Sequence, residues 1–374
     1  MTGRKQQENA GRIKASRGQG GGESADLERL RSVNAPLLAW YHANARALPW
    51  RENPEPYRVW VSEIMLQQTR IEAVRPYFDR FMAELPHVAD LAAVEDDRLM
   101  KLWEGLGYYS RARNLQKAAK LVAERGGFPD TYDGLLALPG VGEYTAAAIA
   151  SASFARREAA VDGNVLRVVA RLTDLHDDIA LPQTKRAVRA QVQAVFPEAE
   201  PDVRVFNQAL MELGATVCVP NGPPKCPSCP VRDLCLGRIR GTAEGLPVKA
   251  PKKARRTEEK TVFLLLREGR IALRKRPASG LLAGLWEFPN VEGALDERAA
   301  GEAAAAWGLT PKAWKDRRTA KHVFSHVEWH MTGYTLEVSG EGPEGFVWVD
   351  TLDDRAIPSA FARYAEEARR ELGG

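Results

Sequence analysis

The chain has 374 residues, 44% of them apolar, so it is long enough to bury substantial cores and is expected to form two domains. Lysine and arginine exceed aspartate and glutamate by 53 − 49 = 4, a weak basic excess that permits a nucleic-acid partner without requiring one. No run approaches roughly 18 uninterrupted apolar residues and the sequence does not begin with a charged and then apolar leader. We therefore expect a soluble, intracellular protein with no membrane partner.

The start of the chain differs in composition from the remainder. Residues 1–24 are rich in Gly, Gln and basic side chains and contain almost no large apolar residue, so we expect a disordered basic tail. From there to residue 240, apolar residues recur at helical spacing, and Pro and Gly clusters mark the breaks. Residues 25–240 are therefore predicted to form an all-α domain.

A charged residue interrupts the apolar face of an early predicted helix. In VSEIMLQQTR, residues 61–70, Glu63 falls one helical turn from Val59 and Leu66, so its carboxylate shares a stripe with large apolar side chains. Such a carboxylate either pairs with a nearby arginine or serves chemistry that needs a protonated acid. The residues alone leave both interpretations open.

A Pro-Gly-Val-Gly turn joins two predicted helices within LPGVGEYTAAAIASASF, residues 138–154. Gly140 and Gly142 allow the backbone to bend and to approach a ligand closely. Amides at the start of the second helix can then point at a phosphate, which indicates a helix-hairpin-helix that holds the DNA backbone without reading its sequence. The alternative is an ordinary tight turn between packed helices. The flanking Leu-Pro and the small residues after the turn favour the hairpin.

A second carboxylate stands at the start of the next predicted helix. In AAVDGNVLRVVARL, Asp162 precedes a run of apolar residues, so the simplest interpretation is an N-cap that accepts backbone hydrogen bonds. Glycosidic bond cleavage also requires a pair of carboxyl groups, one ionised and the other kept protonated by apolar neighbours. Asp162 could be the ionised member of such a pair. Glu63 is the candidate for that protonated partner.

All four cysteines of the chain lie within 18 residues, with the spacing C-x7-C-x2-C-x5-C. They are Cys218, Cys226, Cys229 and Cys235. In an intracellular chain such clustering indicates a metal or iron–sulfur site rather than disulfides. Four thiolates suit a structural zinc ion and a 4Fe–4S cluster equally well, and the spacing does not separate them.

The amino-acid composition changes after the cysteines. Residues 241–259 are rich in Lys, Arg and Pro and are predicted to be an exposed linker. Residues 260–374 contain short runs of β-forming residues, such as TVFLLL and GFVWV, separated by an Ala-rich helical stretch, which indicates a small α/β domain.

Three of the six histidines occur in KHVFSHVEWH, residues 321–330. On a helix their spacing of four would place His322, His326 and His330 on one face, where they could bind a metal ion. The β-branched and aromatic residues between them favour a strand, a turn and a second strand instead.

Several of these segments, in this order, resemble the helix-hairpin-helix DNA glycosylases of the endonuclease III superfamily. They are LPWRENPEPYRVWVSEIMLQQT, GLGYYSRARNL, LPGVGEYTA, VDGNVLRV and the cysteine loop at residues 218–235. SEIMLQQT and GLWEFP are similar to the adenine DNA glycosylases (the MutY family), and the resemblance extends from Leu37 to the end. It implies a catalytic helix-hairpin-helix domain with a 4Fe–4S cluster bound by the four cysteines, followed by a Nudix-like domain that recognises 8-oxoguanine.

The resemblance also implies the reaction and its catalytic residues. The protein would bind double-stranded DNA, flip out adenine opposite 8-oxoguanine or guanine, and hydrolyse its glycosidic bond in base excision repair. Glu63 would be the general acid, and Asp162 would stabilise the oxocarbenium-like sugar. Tyr144 and Asn164 match family positions beside these carboxylates. We expect a monomer in the cytoplasm, associated with the nucleoid.

Further site residues are implied by the same resemblance. The adenine pocket would be lined by Trp50, Arg51, Leu66 and Glu212. The residues that would contact DNA are Gln68, Tyr108, Gly140, Gly142, Phe324, Ser325 and His326. Among these, Gln68 and Tyr108 match positions that wedge into the duplex, whereas Phe324, Ser325 and His326 would form the loop that reads 8-oxoguanine.

Departures from related sequences restrict the activity. Bifunctional relatives carry a Schiff-base lysine where this chain has Tyr144, so strand cleavage by β-elimination should be negligible. The first cysteine gap is seven residues rather than the usual six, which predicts a bulge near Asn221 and Gly222. A rival function, nucleotide pyrophosphate hydrolysis in the Nudix-like domain, would need two metal-binding glutamates where the chain has Ala305 and Ala306. A third, non-catalytic DNA binding, would be favoured only if Glu63 or Asp162 were neutral.

Overall fold

The computed structural model describes residues 21–250 and 254–373. Contacts divide the chain into two compact units, one from residues up to 47 with 146–250, the other from 48–145 with those from 251 onward. Helices fill the chain as far as residue 239. Their bounds are α1 Gly21–Asn44, α2 Pro49–Glu52, α3 Pro56–Leu66, α4 Ile71–Glu84, α5 Val88–Ala93, α6 Asp96–Leu102, α7 Ser110–Glu124, α8 Tyr132–Leu136, α9 Glu143–Phe154, α10 Gly163–Leu172, α11 Pro182–Ala194, α12 Asp202–Thr216 and α13 Leu236–Ile239.

In the first unit α11, α12 and α13 pack against α10, and α1 packs against α11 and α12. Every residue of α10 from Val165 to Leu172 is buried, because neighbouring helices cover all its sides. Pro182 begins α11 at a position where the missing amide proton costs nothing. Phe196 and Phe206 meet edge to face, with their ring centroids 4.9 Å apart, which fills the core beside α12.

The second unit contains α2 to α8, and proline begins two of these helices. Pro49 and Pro56 begin α2 and α3. The side chains of Trp60, Phe81 and Trp103 are fully buried and anchor α3, α4 and the end of α6. Burial of such large aromatic side chains dominates the energetics of a small helical core.

The second unit also contains a seven-stranded sheet. Its strands and remaining helices are β1 Arg256–Arg267, β2 Arg270–Lys275, β3 Trp286–Glu287, β4 Asn290–Glu292, α14 Glu297–Ala306, β5 Thr310–Val323, β6 Val327–Ser339, β7 Phe346–Val349 and α15 Ala362–Leu372. The order is β3-β2-β1-β6-β5, with β4 paired to β1 and β7 paired to β2. Only β1 and β6 run parallel among these pairs; the others are antiparallel.

Both faces of this sheet are covered, which explains the continuous apolar run in β1. Val262, Leu264 and Leu266 belong to a core shared with residues of α15. Phe263 and Leu265 point to the opposite core, which includes Ala300 of α14. Alternate residues of a strand face opposite sides, so a strand buried on both sides reads as uninterrupted apolar sequence.

The predicted all-α half and α/β half are both confirmed as fold classes. The structure shifts the edges of two predicted segments. Helix α1 begins at Gly21, so residues 21–24 of the predicted tail are helical, while the first 20 residues lie outside the described part of the chain. Strand β1 begins at Arg256, inside the predicted linker, because its first residues pair with β6 from Val327 onward. No helix in residues 21–250 or 254–373 is both long and apolar enough to span a bilayer.

Gly333 of β6 lies directly under α15. A Cβ atom at this position would overlap the ring of Tyr364, which is fully buried. We therefore expect Gly333→Ala to lower the free energy of unfolding by about 1–3 kcal/mol through overpacking, as measured by urea denaturation. Gly301→Ala in α14 is the matched control, because its nearest neighbour is an ordinary contact at 3.6 Å. It should be stabilising by about 1 kcal/mol through helix propensity, and an equal loss in both variants would contradict the packing explanation.

Candidate active site and DNA interface

Glu63 lies half-buried on α3, one turn after Val59 and Trp60, whose side chains are buried. The phenol of Tyr144 donates a hydrogen bond of 2.7 Å to Glu63 Oε2. Tyr144 is the second residue of α9, immediately after the glycine hairpin, so this donor is positioned by the hairpin itself. The structure thus brings together two of the residues expected at the catalytic site.

Asp162 caps α10 through one of its carboxylate oxygens and binds a side-chain amide with the other. Its Oδ1 accepts hydrogen bonds from the backbone amides of Asn164 at 2.9 Å and Val165 at 2.8 Å. Its Oδ2 accepts one of 2.6 Å from Asn164 Nδ2. The N-cap interpretation is therefore correct, and it is compatible with a catalytic role, because the same three donors hold the carboxylate in one orientation.

Opposing effects set the ionisation of Asp162. Burial raises the pKa of its carboxyl above the ordinary value, and the hydrogen bonds from Val165 and Asn164, together with the charge of Arg167, act in the opposite direction. Burial disfavours the charged form, whereas donors to that form favour it. The anion of Asp162 consequently depends on these donors more than an exposed aspartate would.

Arg167 was not singled out by the sequence analysis, yet it connects Asp162 to the cysteine loop. Its Nη2 donates to Asn164 Oδ1 at 2.8 Å and its Nε donates to the carbonyl of Cys218 at 2.8 Å. The side chain is 7% exposed. The available signal was an arginine within a helix, VLRVVARL, that is apolar on nearly every side, since such a charge must have buried partners.

The four cysteines lie around one small cavity in the first unit, together with Arg171, Arg232 and Arg238. All four thiols are half-buried. Burial raises the pKa of the Cys229 thiol to about 11, and the neighbouring thiols act in the same direction. Arg171 Nη1 donates to Cys218 Sγ at 3.2 Å. Positive charge around closely grouped thiols favours the thiolates that metal ligation requires.

The shape of this cavity bears on what it can hold. Within the described ranges, no three His, Cys, Asp or Glu side chains are arranged to bind a single metal ion. The four thiols line a common space, as four cysteines that hold a zinc ion or a 4Fe–4S cluster would. Gly222 has φ +75°, so the loop turns sharply at the place where the seven-residue gap predicts a bulge.

The hairpin between α8 and α9 has the expected helix-hairpin-helix form. Gly140 has φ +75°, and a Cβ there would lie 2.7 Å from Asn114 Cβ, so both conformation and packing require glycine. Gly142 is exposed and a Cβ there would meet nothing within 4 Å. Its backbone is therefore open to a ligand, beside the amides at the start of α9.

The two predicted wedge residues share an unusual backbone conformation. Gln68, just after α3, has φ +61°, and Tyr108, just before α7, has φ +48°. Such left-handed conformations cost side-chain-bearing residues about 1–2 kcal/mol each, and they cluster at functional sites. The ring of Tyr108 is 46% exposed, which is unusual for a large aromatic side chain.

The KHVFSHVEWH segment forms the end of β5, a turn and the start of β6, as predicted, so its histidines do not share a helix face. Ser325 Oγ lies 2.5 Å from the hydroxyl of Tyr108. The ring of Phe324 packs edge to face on Trp329 at 4.9 Å, which anchors the turn. Tyr108 and the turn residues, including His326, line a cavity of about 540 Å³ within the second unit.

The predicted adenine-pocket residues differ in their surroundings. Trp50 is buried and packs edge to face on Phe78 at 5.1 Å. Arg51 and Leu66 are half-buried, at the ends of α2 and α3. Glu212 is almost fully buried, and Arg46 binds both of its oxygens, at 2.6 and 3.0 Å. Sequence spacing could not reveal this ion pair, since its members are far apart along the chain.

The Nudix-like helix carries no metal-binding carboxylates at its end. Helix α14 ends at Ala306, and Ala305 precedes it, so methyl groups stand where divalent-ion chemistry needs two carboxylates. The end of α14 in the α/β domain therefore lacks the two carboxylates that would bind a divalent metal ion.

Two segments of the chain match models of known protein families. Residues 61–198 match "HhH-GPD superfamily base excision DNA repair protein", and residues 261–367 match "NUDIX domain". The chain is 36% identical to the adenine DNA glycosylase of Homo sapiens over 85% of this chain and 69% of that protein. It is 35% identical to the adenine DNA glycosylase of Rattus norvegicus over 94% of this chain and 81% of that protein. Among solved structures, a thermostable thymine-DNA glycosylase matches with a TM-score of 0.52 and 27% identity, over 58% of this chain and 99% of that one.

Proposed function

The chain belongs to the adenine DNA glycosylases, and from this premise we propose that it excises adenine paired with 8-oxoguanine, with Glu63 and Asp162 as its catalytic carboxylates. It is a base excision repair enzyme that cleaves the N-glycosidic bond of adenine in DNA. The observation that carries the catalytic assignment is the hydrogen bonding of each carboxylate by its own fixed donors, Tyr144 for Glu63 and Asn164 for Asp162.

The two carboxylates have complementary tasks. Glu63 donates a proton to N7 of the flipped adenine, which then leaves as a neutral base. Asp162 remains anionic and stabilises the positive charge that develops on the deoxyribose as the glycosidic bond breaks. Water then attacks the sugar carbon, which leaves an abasic site. The amide donors at the start of α10 support this task, because they favour the ionised form of Asp162.

Tyr144 supports a monofunctional enzyme. Its phenol orients Glu63 and cannot form an imine with the sugar. Strand cleavage through a covalent imine is therefore not expected at this position. Trp50, Arg51, Leu66 and Glu212 are proposed to line the adenine pocket, with the ion pair to Arg46 fixing the carboxylate of Glu212.

Recognition of the opposite base is assigned to the second unit. Tyr108 and Gln68 enter the duplex, and Ser325 and His326 approach the oxidised guanine. The contact between Tyr108 and Ser325, together with the cavity they line, supports a shared surface for wedge and reader residues. Gly140 and Gly142 present backbone amides to a DNA phosphate.

The four cysteines are proposed to hold a 4Fe–4S cluster. Bound there, the cluster would fix the cysteine loop and so shape a surface that contacts phosphate, rather than perform redox catalysis. Basic residues of the chain surround the cysteines. Arg171 donates to Cys218 Sγ, and Lys225 and Arg232 place positive charge on the loop, where a DNA phosphate can be bound.

The decisive experiment uses a duplex with one adenine opposite 8-oxoguanine. Glu63→Gln removes the acid, and Asp162→Asn removes the anion, each with little change in shape. General acid catalysis alone contributes about 10²–10⁴-fold in rate, so each variant should release adenine at least a hundredfold more slowly in single-turnover assays. Duplex binding should change little. Alkali treatment should be required before the wild-type product strand breaks.

The same assay across pH provides a control for the Asp162 assignment. Asp162 must be ionised, so the rate should fall on the acid side as pH passes below its pKa, which burial holds above the ordinary value. Asn164→Ala removes the donor to Oδ2 and should move this acid limb to higher pH. An unmoved limb, or wild-type rates in the Glu63→Gln or Asp162→Asn variant, would show that other residues perform the chemistry.

A second prediction concerns the reader turn. The combined change Ser325→Ala and His326→Ala removes polar contacts to the opposite base without disturbing the half-buried ring of Phe324. Each lost base-edge contact costs about 1–3 kcal/mol of discrimination, so the rate ratio between 8-oxoguanine and guanine duplexes should fall at least tenfold. Ser359→Ala is the control, because Ser359 lines the same cavity and lies outside the reader turn. Undiminished discrimination in the double variant would place the reader elsewhere.

The third prediction concerns the cofactor. Purified protein should be yellow-brown and contain about four iron and four sulfide per chain. Cys229→Ser should lose colour and iron together and weaken duplex binding, because the loop then loses its internal support. An active, colourless protein that contains one zinc ion would contradict the cluster.

A further inference from the structure

Two separate loops carry the wedge residues, and both are conformationally demanding. The first comes after α3 and presents Gln68; the second precedes α7 and presents Tyr108. Neither residue is glycine, and both have positive φ. An isolated loop would relax from this conformation, so something in the surrounding structure must hold it.

Arg111, on the first turn of α7, bonds to both loops. Its Nη1 donates to the carbonyls of Ile64 at 2.6 Å, Met65 at 3.2 Å and Gln67 at 2.7 Å. Its Nη2 donates to the carbonyls of Leu106 at 3.0 Å and Gly107 at 3.1 Å. One guanidinium therefore joins the C-terminal end of α3, where helix carbonyls lack partners, to the backbone immediately before Tyr108.

The same side chain also contacts the wedge ring. The guanidinium carbon lies 5.5 Å from the ring centroid of Tyr108 and 5.5 Å from that of Trp103, which is fully buried. The Tyr108 hydroxyl in turn lies 2.5 Å from Ser325 Oγ. Contacts thus run from α3, which carries Glu63, through Arg111 to the reader turn, all within the second unit.

Arginine is well suited to this position. Its planar fork of donors can reach carbonyls on two segments at once, whereas a lysine ammonium is a single point with three donors. Burial lowers the pKa of Arg111 to about 10, so the side chain remains charged at neutral pH. Charged donors to carbonyls at a helix C-terminus also complement the helix dipole.

We propose that Arg111 is a positioning residue that holds the two wedge loops and the reader turn as one element, and thereby controls both adenine flipping and discrimination of the opposite base. The proposal rests on the function proposed above. Arg111 bonds to backbone carbonyls and contacts the Tyr108 ring, so it would act through these groups and not on the reacting atoms.

The test compares Arg111→Lys and Arg111→Met with the wild-type protein. Arg125→Lys and Arg125→Met are matched controls, because Arg125 is exposed at the other end of α7. Flipping is monitored by the fluorescence of 2-aminopurine placed beside the target adenine, and chemistry by single-turnover adenine release. Thermal unfolding is measured for all variants, so that loss of structure is detected separately.

Arg111→Lys should fold normally and bind duplex within a few-fold of wild type. Its 2-aminopurine signal should fall, its adenine release should slow by about a hundredfold, as expected for a misplacement near 1 Å, and its preference for 8-oxoguanine over guanine should shrink towards one. A merely structural role would lower the unfolding temperature without changing that preference. Wild-type flipping and discrimination in folded Arg111→Lys would overturn the proposal, even if Arg111→Met fails to fold.

Tyr108→Ala separates this proposal from the one it rests on. If Tyr108→Ala leaves flipping unchanged, the wedge assignment fails and the role of Arg111 fails with it. If Tyr108→Ala impairs flipping while Arg111→Lys behaves as wild type, only the role of Arg111 is overturned. Impairment of both, with normal Arg125 variants, supports the proposal.

Discussion

The cost of burying charge governs this structure. The charged side chains of Arg167, Arg171 and Glu212 are buried. Each would strongly destabilise the fold if it had no hydrogen-bonding partner. Backbone carbonyls accept the hydrogen bonds of Arg167 and Arg171, and Arg46 supplies donors to Glu212. Because these partners belong largely to the backbone, the charged groups acquire fixed orientations. Stability and catalytic geometry therefore depend on the same hydrogen bonds.

Much of the architecture could be predicted from residue pattern. Helical periodicity, with Pro and Gly clusters at the breaks, indicated the all-α half, and Asp162 was correctly interpreted as an N-cap from its position before GNVLRV. The histidine segment was correctly assigned to strand and turn from its β-branched residues. In each case local preference and tertiary environment agree, so a short window of sequence contained enough information.

The pattern could not identify the partners of Arg111 and Arg167. The apolar helix around Arg167 indicates a buried charge, but the partners of these two arginines include residues 44–51 positions away. The pair formed by Arg46 and Glu212 spans an even longer separation. The start of β1 was also misplaced, because its first residues look like a charged linker and become a strand only by pairing with β6. These features are decided by tertiary packing, which single-sequence pattern does not contain.

Gly140 has an effect beyond its own loop. The missing side chain leaves room for Asn114, which lies on α7 three residues after Arg111. A side chain introduced at Gly140 would push on that helix, and residues three apart on a helix share a face. If Arg111 holds the wedge loops as proposed, a substitution at Gly140 would disturb base selection as well as the hairpin. The effect of such a substitution would then have to be interpreted through packing rather than through motif boundaries.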